Sequence, residues 1–74
     1  MTGADGRSRI ISGSHDGTVR VWDPLTGQML AGLRLGSAAA SLAVVPGTDR
    51  FVAGVDQWWA LLRYDEDPPH LDRV

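Results

Sequence analysis

The chain has 74 residues, seven basic and nine acidic side chains, a net charge of −2 and no cysteine. That is enough for one small domain with a marginal core of its own, and no disulfide or thiolate metal site can reinforce it. The mixed, faintly acidic surface offers nothing to attract nucleic acid or anionic lipid. No run of ~20 apolar residues exists to span a membrane, and "MTGADGRSR" lacks the apolar stretch of a secretory signal, so a soluble cytoplasmic protein is expected.

Turn signals divide the chain closely. They stand at "ADGR" (4–7), "SHDGT" (14–18), "DPLTG" (23–27), "LGS" (35–37) and "PGTD" (46–49). Asp-Gly between two β-prone runs marks a hairpin, because glycine tolerates the positive φ of such turns. Between the signals lie "RIISGS", "TVRVWD", "QMLAGLRL", "SLAVV", "RFVAGV" and "WALLRYD". These runs are rich in residues that favour pleated structure. Only "SAAASLAVV" (37–45) is helix-prone, and the fold expected is all-β.

The pattern also recurs. Gly13 and Gly54 stand 41 residues apart, as do Arg9 and Arg50; Trp22 and Tyr64 stand 42 apart, as do Asp23 and Asp65. Ile10, Ile11 and Ser12 align with Phe51, Val52 and Ala53. One extra residue in the second hairpin, near Asp56 to Trp58, reconciles the two offsets, and Arg63 then falls where the first copy has Val21. A period of ~40–45 residues holding about four short strands is the signature of a propeller blade.

The stretch "ISGSHDGTVRVWDPLTGQML" (11–30) resembles a repeat of the WD-repeat β-propeller family. Its second strand, Asp-Gly turn, third strand ending in Trp-Asp, and Thr-Gly turn into a fourth strand follow the family's order. The resemblance implies antiparallel four-stranded blades, here an incomplete and open propeller. It also implies a buried network in which Ser12, Asp16 and Trp22 match the serine, turn aspartate and tryptophan of the motif. The histidine that completes the network has no counterpart: the second copy reads Gly36-Ser37 where it would stand. Ala53 and Tyr64 replace Ser12 and Trp22 in that copy, so it is expected to lack the network. Alternation in "TVRVW" sets Val19 and Val21 on one face and Arg20 and Trp22 on the other, and in a propeller Trp22 would stack on an adjacent blade.

Ser14, His15 and Asp16 look reactive, but a catalytic triad needs the imidazole between nucleophile and carboxylate, with an oxyanion hole beside them. Neighbours in a turn diverge, and the G-x-S-x-G elbow is absent. "GSHDGT" (13–18) lacks the Gly-Lys-Ser/Thr ending of a phosphate loop. The tail "DEDPPHLDRV" (65–74) has no regular ligand spacing. No catalytic residue, cofactor or metal ligand is therefore assigned. Of Trp58 and Trp59, one is expected to pack inward and the other to be exposed, because adjacent strand residues face opposite ways; both are candidate interaction residues.

Residues 1–35 read as a first repeat without its opening strand, 36–65 as a second, degenerate repeat, and 66–74 as a tail or frayed last strand. A closed propeller takes ~4–8 blades, so this chain cannot close a ring alone. The expected partners are other proteins or further blades, including copies of itself. The expected role is a protein–protein interaction scaffold, with a remnant of the propeller sensor region of a larger regulatory enzyme (nucleotide hydrolase or kinase) as the alternative. Both rest on family analogy.

Overall fold

The computed structural model describes residues 1–3, 6–55 and 58–74, with 39 and 40 described by backbone alone. Seven strands follow in chain order: β1 (Ile10–Gly13), β2 (Thr18–Trp22), β3 (Met29–Arg34), β4 (Ala39–Val44), β5 (Arg50–Val55), β6 (Trp58–Glu66) and β7 (Pro69–Arg73). There is no helix among the described residues. The strands form two antiparallel sheets, β1-β2-β3 and β4-β5-β6-β7, neither closed into a barrel. Neighbours in sequence are neighbours in each sheet, as expected when short turns join antiparallel strands.

Local chemistry explains the first hairpin. The Asp16 carboxylate accepts from the Thr18 amide at 2.9 Å and from the Thr18 hydroxyl at 2.6 Å, which fixes the turn into β2. Gly17 follows at φ +85°, where a Cβ would stand 3.2 Å from the Ser37 carbonyl oxygen, so backbone conformation and space both require glycine. The helix-prone alanine stretch is drawn into β4 instead: Leu42 pairs with Ala53 and Val44 with Phe51. Cross-strand pairing there, with Leu42 packed against the core, overrides alanine's modest helical preference.

Period-2 alternation builds one core between the two sheets. Val19 and Val21 of β2 are fully buried, with Ala31 of β3 and Leu35 beside them. The second sheet answers with Phe51, Ala53 and Val55 of β5, Ala60, Leu62 and Tyr64 of β6, and Leu71 of β7. β3 lies along β7 and β1 along β4. Each fully buried large side chain contributes about 1.5–3 kcal/mol. The other face of each sheet points away from this core. On the first sheet it carries Ile10, Ser12, Arg20 and Trp22; on the second, Val52, Gly54, Trp59, Leu61 and Arg63. A Cβ at Gly54 would run into the Ser41 hydroxyl, so β4 and β5 approach closely at that point.

The pairing register corrects several expectations. Gly13 lies opposite Val19, whereas Gly54 lies opposite Trp59, so the second hairpin is shorter between its equivalent positions, not longer. Its tip, Asp56 and Gln57, is outside the described residues. With Ile10 opposite Trp22 and Phe51 opposite Leu62, the counterpart of Trp22 is Leu62 rather than Tyr64. Arg63 accordingly does not take the place of Val21. It sits on the outer face, its guanidinium 3.8 Å from Asp65 and 3.6 Å from Asp72, with no charge forced into the core. The segment read as a tail or frayed strand contains a paired one: β7 runs from Leu62↔Arg73 to Glu66↔Pro69 and buries Leu71.

Candidate interaction surfaces

Of the three residues assigned to a network, the structure joins two. The Trp22 indole N–H donates to the Ser12 hydroxyl at 2.9 Å, tying β2 to β1 across the outer face of the first sheet. This bond is partly buried, and among the described residues no second sheet lies on the Trp22 side of the first as a stacked blade would. Asp16 is not part of it. Its carboxylate is exposed in the turn, bonded to Thr18 and 3.5 Å from the Arg20 guanidinium. The two Thr18 bonds, with help from Ser14 and Arg20, lower its pKa to about 2. His15 is exposed beside it, and the carboxylate faces Thr18 rather than the imidazole. Ser14, His15 and Asp16 thus serve the turn.

Sequence reasoning missed a polar cluster that joins the N-terminal segment to the second sheet. The Arg9 guanidinium lies 3.0 Å from one Glu66 carboxylate oxygen and donates to the other at 3.2 Å. The Tyr64 hydroxyl donates to that second oxygen at 3.1 Å. The Arg9 side chain is 5 % exposed, so the ion pair is largely removed from water. Burial first, then the bond to Glu66 and its negative charge, raises the Tyr64 pKa. Arg9 and Glu66 are 57 positions apart, and no local pattern links them.

Both tryptophans are on the surface. The two face opposite ways: Trp58, opposite Val55, is on the core-side face and 39 % exposed, and Trp59, opposite Gly54, is on the outer face and 68 % exposed. Trp58 opens β6 under the Arg73 guanidinium, 5.2 Å from the ring centre. Trp59 stands on the outer face of the second sheet in the row Trp59–Leu61–Arg63, next to a concavity that Leu61, Arg73 and Val74 also line. On the outer face of the first sheet, Ile10 and Met29 are each more than half exposed.

The segment 65–74 holds His70, whose Nδ1 is 2.6 Å from the Pro68 carbonyl oxygen and whose Nε2 is 2.9 Å from Asp72. Both ring nitrogens face oxygen, which favours the imidazolium and raises the pKa, the Pro68 carbonyl contributing most. Among the described residues no group of three or more His, Asp or Glu side chains is placed to hold a metal ion. No helix long and apolar enough to cross a membrane is present among the described residues. Comparisons with protein-family models, curated proteins and solved structures return no match.

Proposed function

We propose that the chain is a pair of WD-repeat-type propeller blades acting as a protein-binding module without chemistry of its own. The observation that carries this reading is the exposed apolar content of two opposite sheet faces: Ile10 and Met29 on one, Trp59 on the other. Solvent-exposed aromatic and aliphatic side chains grouped on a regular surface mark interaction sites. The blade assignment is supported by the repeat offset of 41 residues, by two sheets stacked in chain order, and by the Ser12–Trp22 bond. Binding is favoured over catalysis because Ser14, His15 and Asp16 are committed to a turn instead of converging on a substrate position.

The test is cross-linking in cells followed by identification of the captured proteins, using the native chain and an Ile10→Glu/Trp59→Glu double variant. Specific proteins captured by the native chain and lost from the folded variant would support the reading. Identical capture by both, or none by the native chain, would overturn it.

A further inference from the structure

The interface inside this chain is heterologous. One face of the first sheet, bearing Ile11, Val19, Val21 and Ala31, meets a different kind of face on the second, bearing Phe51, Ala53, Leu62 and Tyr64. The repeat offset and the register together state which outer faces correspond to these. Ile10 and Ser12 align with Phe51 and Ala53, and Trp22 with Leu62. The outer face of the first sheet is therefore the counterpart of the inner face of the second. Likewise Val52, Trp59 and Leu61 are the counterparts of Ile11, Val19 and Val21, so the outer face of the second sheet corresponds to the inner face of the first.

Each chain thus presents, on opposite sides, the register counterparts of both halves of the interface it already contains, with Arg20 in the place of Ala60 and Arg63 at the edge of the other face. We infer that the occupant of these faces is a second copy of this chain, docked head to tail. The first sheet of one copy lies on the second sheet of the next, in the three-on-four arrangement of the interior. This rests on the two exposed faces of the proposed binding module and names the partner as the chain itself. A repeated heterologous contact either closes into a ring or continues as an open filament. Closure at ~4–8 sheets requires two to four copies of a two-sheet chain. Trp59 of one copy then lies under the Ile10–Trp22–Met29 side of the next, and the partly buried indole of Trp22 is covered.

Sedimentation and light scattering on three preparations decide the matter. The native chain at about 50 μM is expected at two to four times its 8.0 kDa mass. Ile10→Glu and Trp59→Glu each spoil one outer face at an exposed position, so each alone is expected to be a folded monomer. Mixed in equal amounts they restore one good interface and form a 1:1 heterodimer of twice the chain mass that grows no further. Met29→Lys and Trp59→Ser serve as the pair if a glutamate variant loses its strand circular dichroism. A monomeric native chain with protected amides in both sheets would overturn the inference, as would a mixture that remains monomeric. Self-association of either variant at the native level would also overturn it, because that points to a face pairing with itself. A monomeric native chain that still captures other proteins through the same faces would refute self-docking and leave the binding-module reading standing.

Discussion

The two sheets divide their labour unevenly. The first carries the sharp motif: an Asp-Gly turn locked by Thr18, and an indole bonded to a serine one strand away. Yet it sends only Val19 and Val21 fully into the core, whereas the second, which has Ala53 and Leu62 where the first has Ser12 and Trp22, contributes Tyr64, Phe51, Leu62 and Val55. Motif strength and energetic weight are therefore separate properties. A turn and an indole bond specify how strands meet, while stability follows the apolar area taken from water.

Substitutions can break or sharpen that contrast. The largest effect is expected at the second sheet. Phe51→Ala or Leu62→Ala removes a fully buried side chain and costs about 3–5 kcal/mol, read as a collapse of the thermal transition. A loss at Trp22→Ala equal to that at Phe51→Ala would show the first sheet to be an equal partner.

Next comes Glu66→Ala, which takes the carboxylate away from the Arg9 guanidinium, whose side chain is 5 % exposed, and from the Tyr64 hydroxyl. The expected cost is about 3 kcal/mol. An Arg9→Met/Glu66→Leu double variant should recover part of it, because it removes the buried cation together with its carboxylate. Denaturant melts of the single and double variants provide the check.

Trp22→Ala is third, at about 2 kcal/mol, because the ring is only partly covered in a single chain. Ser12→Ala should cost about 1 kcal/mol by leaving the indole N–H without its acceptor. The two losses should be strongly non-additive in a double-mutant cycle, as expected for directly bonded partners.

The smallest effects lie in exposed charged groups and depend on pH. Asp16 has a folded pKa of about 2 against an ordinary 3.8. Its contribution is therefore complete above the ordinary value and lost as pH falls through about 2. Asp16→Asn should remove that acid-side slope while His15→Ala leaves it intact. His70 is displaced in the opposite sense, upward from 6.5. Its contribution is complete below 6.5 and lost as pH rises through the higher folded value. Melting temperature as a function of pH for the native chain and His70→Gln should converge at the alkaline end.

Much of this architecture is legible in the amino-acid order because it is local. Gly17 must follow Asp16, since the turn needs a positive φ and a carboxylate that caps Thr18. Val19 and Val21 must share a face, since strand side chains alternate. Turn signals and alternation of this kind divide the chain into strands without reference to distant residues. The repeat offset likewise relates Ile10 to Phe51 through sequence alone.

What the sequence could not supply depended on which strands meet and at what register. The displacement of Tyr64 by Leu62 as the counterpart of Trp22 follows from the length of the second hairpin, which moves the pairing by two residues and so changes the partner while keeping the face. The conversion of "SAAASLAVV" into β4 follows from the pairing edge that β5 offers, which outweighs alanine's intrinsic preference. Arg9 finds Glu66 only because folding brings opposite ends of the chain together, and their ion pair has no periodic signature. Local propensity and alternation determined the elements. Pairing and burial, which act between residues distant in sequence, determined which side chains became core and which were left for another surface.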